Sequence, residues 1–221
     1  MEWPLLADLP ADDVRRLLAI ARRRTFSKGE VVFHRNDPAD SLHLIVRGRF
    51  GVRVTTQLGD SVLLEVLGPG ASFGEIALLL PDSRRSATVS ALEGGETRSV
   101  FRDDFVRLQH EHPGVKDVLL RLLADQLRRT SDRIVEAHYV DAETRVRRRL
   151  VELAAIYGDE GSPAAIPMTQ EDLAAMAGTS RATVNRVLRS EQREHAVELS
   201  RGRVTVLDGR DLRRRCQFGR D

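Results

Sequence analysis

The sequence predicts an α+β protein: an N-terminal β-roll of jelly-roll type, a long helix, and a C-terminal winged helix-turn-helix. Three observations predict it. Short β-rich runs punctuated by glycine fill residues 25–101. A helical seam without glycine or proline follows at 120–137. Two short capped helices and a strand pair occupy 168–207.

The first element is a short amphipathic helix, Pro10 to Arg23, with Val14, Leu17, Leu18 and Ala21 at helical spacing. From Thr25 the period changes. Val31–Phe33, Leu42–Val46, Phe50–Val54, Val62–Leu67, Thr88–Ala91 and Thr97–Phe101 read as strands. Gly29, Asn36, Gly48, Gly59, Gly68 and Gly70 separate the earlier ones. Many short strands at this spacing predict a barrel or sandwich.

Leu120, Leu123, Leu127, Thr130, Ile134 and Ala137 then alternate steps of three and four. That is the seam of a helix packing along a partner helix; a helix lying on its own domain is the alternative. Thr130 is a polar step in this seam. Asp141 is placed to cap a further helix, Ala142 to Tyr157, which a loop with Gly158, Gly161 and Pro163 follows. The expected organisation is 1–112 for the β-roll, 113–140 for the long helix and hinge, and 141–221 for the C-terminal domain.

In that domain Thr169 can cap one helix and Ser180 a second, with Gly178 supplying positive φ at the turn. Ala174 permits close helix approach. Val184, Val187 and Leu188 face inward, leaving Arg181, Ala182, Asn185, Arg186 and Arg189 outward or at the helix start. A recognition helix reads base edges with its N-terminal residues, and arginine offers two donors to guanine O6 and N7. An ordinary helical hairpin with a solvated basic face is the competing reading. Leu199 to Leu207 forms a hairpin wing around Arg201-Gly202, where Arg201 and Arg203 can touch phosphate. Arg213-Arg214-Arg215 reads as a solvated or phosphate-touching tail.

A second signal is Ser72-Phe73-Gly74-Glu75-Ile76-Ala77-Leu78-Leu79 with Arg84-Arg85-Ser86-Ala87-Thr88-Val89. A Gly-Glu step opening a short helix exposes backbone N–H groups to an anion. Arg85 can pair a phosphate through two parallel bonds, Ser86 can donate one more, and Glu75 can accept from a sugar hydroxyl. Phosphate and ribose together imply a nucleotide; a β-turn with a surface arginine is the bland alternative. No Walker-type or dinucleotide glycine motif is present.

Composition sets the outer limits. The chain has 221 residues, 35 Lys and Arg against 33 Asp and Glu, and a formal charge of +2. A nucleic-acid partner is permitted, with any basic surface coming from arrangement rather than gross excess. The single cysteine, Cys216, can form neither an internal disulfide nor a cysteine cage, which fits a reducing cytosol. No apolar run approaches the ~18–20 residues of a membrane span, and Met1 to Pro10 lacks signal-peptide character. A cytoplasmic protein is expected. No metal-ligand spacing and no Gly-x-Ser-x-Gly nucleophile motif appear, so neither a metal site nor an enzyme is expected.

Along nearly its whole length the chain resembles the cyclic-AMP receptor protein and fumarate-nitrate-reduction regulator (Crp/Fnr) family of bacterial transcription regulators. The Phe-Gly-Glu-Ile-Ala-Leu-Leu…Arg-Arg-Ser-Ala-Thr-Val block looks like its phosphate-binding cassette. Thr169 to Leu188 looks like its DNA reader, and Asp141 to Arg147 like its hinge. The resemblance implies a cytoplasmic homodimer, allosterically controlled by a cyclic nucleotide, foremost cAMP, that binds operator DNA and contacts RNA polymerase. It implies ribose and phosphate contacts from Gly74, Glu75, Ile76, Ala77, Arg85 and Ser86, with Ala77 giving a backbone donor. Val52, Leu64 and Leu67 would line the nucleotide, and Thr130 and Ser131 would meet the base, one from each subunit. It implies DNA contacts from Thr169, Gln170, Thr179, Ser180, Arg181, Ala182, Thr183, Asn185, Arg186, Arg189 and Arg201.

The chain departs from the pattern at a few places. Ala182 replaces the glutamate that many members use to accept from cytosine N4, so an altered preference at that base pair is expected. Glu191 and His195 stand where relatives usually have an apolar residue and a glycine. Asn36 replaces a loop glycine, and asparagine tolerates positive φ. Other readings on the same fold are a haem or other small-molecule sensor and a constitutive DNA binder with a vestigial pocket. An iron–sulfur sensor would need several cysteines. A cyclic-nucleotide-regulated enzyme subunit would need a catalytic domain where only the DNA-binding module remains.

Overall fold

The computed structural model describes residues 3, 6, 10–55, 61–80, 82–113, 116–158 and 162–216, and only the backbone at 116, 118, 119 and 122. The turn glycines expected at 59 and 161 lie outside the described residues. The chain separates into two compact units: Met1–Ser61 with Glu65–Thr130, and Val62–Leu64 with Ser131–Asp221.

The first unit opens with α1 (Ala11–Ile20), whose N-cap is Pro10 and whose first turn carries Asp12 and Asp13. The helix ends earlier than the apolar spacing predicts, because Arg22 to Phe26 are taken as a strand, β1, against Ser99 to Gly95. Then come β2 (Val31–Phe33), β3 (Ser41–Arg47), β4 (Phe50–Thr55), β5 (Ser61–Leu67), β6 (Ser72–Phe73), α2 (Ile76–Leu79), β7 (Thr88–Ala91), β8 (Gly95–Phe101) and α3 (Arg102–Glu111). The strands make two four-stranded sheets, β1-β8-β3-β6 and β2-β7-β4-β5. This is the predicted β-roll.

Strand β3 is central because both of its faces are buried. Leu42 and Leu44 face one side, where Leu17, Leu78, Phe105 and Leu108 from the helices join Val100 in a core. Ile45 faces the other, where Phe26 and Phe73 of its own sheet meet Phe50, Leu67, Val89 and Ala91 of the second. Alternation along one strand thus supplies two hydrophobic layers. A register shift between Ile45 and Arg47 lets the strand leave the sheet.

His43 sits on the inter-sheet side, stacked on Phe73 at 4.9 Å. Nδ1 lies 3.1 Å from the Thr97 hydroxyl and Nε2 lies 3.4 Å from that of Ser41. Ser41 donates its own proton to Asp40, so the pattern assigns the ring proton to Nε2, with Nδ1 accepting from Thr97. Burial, reinforced by the positive charges of Arg85 and Arg24, pushes His43 down to about 3, with Asp40 opposing.

Helix α4 (Lys116–Tyr139) follows a break at Pro113. Leu120, Leu123, Leu127, Ile134, Val135 and Tyr139 are all exposed on it. Thr130 turns its hydroxyl back onto the Gln126 carbonyl at 2.9 Å.

The second unit contains α5 (Ala142–Tyr157), β9 (Ala164–Ile166), α6 (Gln170–Ala177), α7 (Arg181–Arg193), β10 (Val197–Ser200), β11 (Arg203–Val206) and α8 (Gly209–Arg215). All three expected N-caps are made: Asp141 accepts from Thr144 N, Thr169 from Asp172 N and Ser180 from Thr183 N. Gly178 is left-handed, φ 58°, and a Cβ there would meet nothing, so its backbone angle rather than space calls for glycine. His195 adopts φ 56° and Asn36 φ 73°. The turn before the wing therefore keeps the conformation a glycine would take, and β10 and β11 pair without interruption.

Two segments go beyond expectation. Ala164–Ile166, for which no element was expected, adds a third strand to the wing beside β11, because Ala164 and Ile166 bury their side chains. The arginine-rich tail is a helix. Asp208 caps it through the amides of Arg210 and Asp211, and Leu212 is fully buried.

The neutral imidazole gives a pH prediction. Unfolded His43 takes up a proton near pH 6.5 and the folded one near 3, so its contribution is fully present above pH 6.5 and is lost as pH falls toward 3. Going from pH 6.5 to 5.5, the wild type should lose about 1 kcal/mol more than His43→Phe in urea unfolding. Parallel pH slopes for the two proteins would refute it.

Candidate functional site

Two sites emerge, one in each unit. In the first, a cavity of about 120 Å³ is lined by Phe33, Val52, Glu65, Leu67, Gly74, Glu75, Ile76, Ala77, Arg85 and Ser86, with Gln126 and Arg129 among the others. The structure thus brings together Val52, Leu67 and the six residues expected from the cassette.

The cavity owes its shape to the end of β6. Gly74 takes φ 87°, and a Cβ there would stand 2.6 Å from Arg85 Nη1 and 2.8 Å from the Ser41 carbonyl. Only glycine allows this approach. Arg85 is 5% exposed. Its Nη1 donates to the Ser41 carbonyl at 2.7 Å, and its Nη2 donates to Asp40 Oδ1 and Ser41 Oγ, both at 3.0 Å. The guanidinium lies 4.0 Å from the Phe33 ring centre. Its Nε, also buried, makes no hydrogen bond. Burial pushes Arg85 below the ordinary arginine range, and Asp40 opposes the shift. The site therefore holds a desolvated cation, backed by aromatic carbon and only partly satisfied, at the wall of a cavity. That is a chemistry for binding an anion.

Other expected residues stand differently. The Ala77 amide closes a turn onto the Gly74 carbonyl at 3.2 Å. Leu64 is exposed. Thr130 and Ser131 are exposed, and the α4 residues that line the cavity are Gln126 and Arg129 instead. Sequence reasoning missed this pair. Their spacing of three, which puts both on one face of the helix just ahead of Thr130, was the available signal.

In the second unit, Thr169, Gln170, Arg181, Ser200, Arg201 and Arg203 line a groove of about 480 Å³ between the start of α6, the start of α7 and the wing. Arg181, Ala182, Asn185, Arg186 and Arg189 are exposed on α7, while Val184, Val187 and Leu188 are buried. Thr179 and Thr183 are half-buried, and Ser180 is exposed at the cap. Asn185 donates to Gln170 Oε1 at 3.3 Å and Arg189 to Gln192 Oε1 at 3.1 Å. Arg186 Nε lies 3.1 Å from Glu143. Arg145 fixes the motif's turn, donating to the carbonyls of Val140, Ala177 and Gly178 at 2.8–2.9 Å.

Among the described residues no cluster of His, Cys, Asp and Glu is placed to hold a metal ion, and no helix is long and apolar enough to cross a membrane.

The fold and the two sites define the class, an effector-type β-roll followed by a winged helix-turn-helix. Residues 23–112 match the family described as Cyclic nucleotide-binding domain, and residues 144–215 match the Crp-like helix-turn-helix domain. The chain is 34% identical over 203 residues to the Cyclic AMP receptor protein of Thermus thermophilus, covering 92% of each. It is 31% identical over 195 residues to the CRP-like cAMP-activated global transcriptional regulator of Mycobacterium tuberculosis, covering 87% of each. The crystal structure of Thermus thermophilus Catabolite Activator Protein superposes with a TM-score of 0.55 at 32% identity, over 97% of this chain and 98% of that one. The chain belongs to the Crp/Fnr family of transcription regulators. It is a DNA-binding regulator with a cyclic-nucleotide-binding domain, and not an enzyme.

Gly74→Ala should cost about 1–3 kcal/mol of stability, since the new methyl must displace Arg85 or the Ser41 carbonyl from a backbone angle unsuited to alanine. Urea unfolding checks it, and a wild-type midpoint would refute the close approach.

Proposed function

We propose that the protein is a homodimeric, sequence-specific transcription regulator controlled by a cyclic nucleotide, cAMP first among candidates. The observation that carries this reading is Arg85, a buried guanidinium beside Gly74 in a cavity that also presents Glu75 and Ser86. The cyclic phosphate would take donors from Arg85 and Ser86, sharing Arg85 with the exposed carboxylate of Asp40. Glu75 would accept from the ribose hydroxyl, and Val52 and Leu67 would cover the apolar face. The names of the two relatives above, each more than 30% identical, favour cAMP. His43 does not favour a haem reading, because it is buried and both ring nitrogens have hydrogen-bond partners.

The proposed organisation is 1–112 for the sensor, 113–140 for the dimerisation helix and hinge, and 141–221 for the reader. The exposed apolar face of α4 supports self-association. In such a dimer Thr130 of one subunit and Ser131 of the partner would meet the base. Ligand would then act by its differential affinity for two packings of the helices. At the other end, Arg181 and Arg186 would read guanine, Thr169, Gln170, Thr179, Ser180, Thr183, Asn185, Arg189 and Arg201 would contact backbone or bases, and Ala182 would touch a thymine methyl. A cytoplasmic location and a contact with RNA polymerase complete the proposal.

Calorimetric titration with cAMP and cGMP tests the sensor. Binding of cAMP well below millimolar is expected, and no binding of either below millimolar would overturn the reading. For the reader, Arg186→Ala should lose about 1–3 kcal/mol of operator binding by fluorescence anisotropy. Selection from a randomised duplex pool should return a relaxed preference opposite Ala182; full cytosine preference there would contradict it.

A further inference from the structure

We infer that Glu143 is a positioning residue for Arg186 and sets how sharply the protein separates its operator from other DNA. The inference rests on the reading of Arg186 given above. Glu143 lies in the first turn of α5, with Oε1 3.1 Å from Arg186 Nε and Oε2 3.8 Å from Arg147 Nη2. Arg147 Nε donates to Glu191 Oε1 at 2.7 Å, and Arg215 Nη1 donates to Glu191 Oε2 at 3.1 Å. Charges alternate along this row: Arg186, Glu143, Arg147, Glu191, Arg215. Its middle is sheltered, with the side chain of Glu191 1% and that of Arg147 19% exposed. Its outer end is open, with Glu143 41% and Arg186 68% exposed. The Glu143 carboxylate is thus tied to the domain core on one side and meets the reading helix on the other.

A guanidinium presents its donors on a rigid fork. A carboxylate against Nε leaves the edge formed by Nη1 and Nη2 for the two acceptors of guanine. Without that constraint an exposed arginine on α7 can swing to a phosphate, a contact that carries no sequence information. Glu143 works against that alternative twice: its charge holds the guanidinium beside α5, and it repels a phosphate approaching the same place. No acidic residue occupies the first turn of α7. The acid that restrains this reader comes from α5, a different helix.

The test uses the full chain with saturating cAMP. Its probes are a duplex operator selected by the protein from a randomised pool and a scrambled duplex of equal length. Anisotropy is read over a series of salt concentrations. Glu143→Gln should lower the ratio of operator to scrambled affinity about tenfold, chiefly by tightening the scrambled complex. The salt slope on scrambled DNA should steepen by about 0.9 for each Arg186 released to a phosphate, about 1.8 for the homodimer. In an Arg186→Ala background the same substitution should change the ratio by less than about twofold. A ratio within about twofold of wild type for Glu143→Gln would overturn the inference, as would an equal drop in the Arg186→Ala background. If Arg186→Ala loses operator binding while Glu143→Gln is neutral, only this inference falls. If Arg186→Ala is itself neutral, the assignment of the reader falls with it.

Discussion

Burying the guanidinium of Arg85 requires that its charge and its donors be matched inside the β-roll, and the matching groups come from several places in the chain. Asp40 and Ser41 lie at the start of β3, Gly74 closes β6, and Phe33 ends β2. The backbone on either side is drawn in as well. The amide of Asn36 donates to the Arg85 carbonyl, and that of Arg85 to the Asp37 carbonyl, both at 2.9 Å. An unpaired cation in such a place is costly, so these segments are held together wherever the protein is folded. The same network reaches His43 through Ser41, which ties the cassette to the aromatic core between the sheets. The cavity is preorganised because the core already needs its parts where they are.

The second unit solves a similar problem with charge rather than with apolar packing alone. Glu191 is 1% exposed at the C-terminal end of the buried face of α7, behind Val184, Val187 and Leu188. An apolar residue would be the simpler choice there. The carboxylate is accommodated because Arg147 on α5 and Arg215 on α8 each supply a cation to it. This pairing gives α8 a reason to fold back, which an arginine run by itself does not suggest. Arg145 makes the companion contact, binding both carbonyls at the end of α6 and the one before α5. Two neighbouring arginines of one helix therefore hold the turn and the far end of the reading helix. Removing one partner of such a buried pair is strongly destabilising, because the other charge is left uncompensated.

Much of the fold was legible because its signals are local. The caps at Asp141, Thr169 and Ser180 each satisfy an amide three residues on, and sequence spacing alone specifies that geometry. Gly178, His195 and Asn36 adopt left-handed backbone where glycine or a tolerant residue was expected. The alternation in β3 and the inward positions of α7 follow from period alone. The sequence also determined which residue types meet at the cavity, since Gly74, Glu75, Arg85 and Ser86 lie in two short runs.

What those residues touch follows from the packing of distant segments. Asp40 is 45 positions from Arg85, and nothing in their spacing pairs them. Gln126 and Arg129 reach the cavity, while Thr130 turns its hydroxyl to its own helix; a helix face is readable from period, but its rotation relative to a cavity is not. β9 is too short to carry a pattern and exists because β11 offers it an edge. Glu143 and Arg186, 43 residues apart by sequence numbering, come together only when α5 and α7 pack. Local spacing fixed caps, turns and strands because one stretch of backbone suffices to satisfy them. The partners of buried charges were left to the packed chain because their energy arises only after water has been removed.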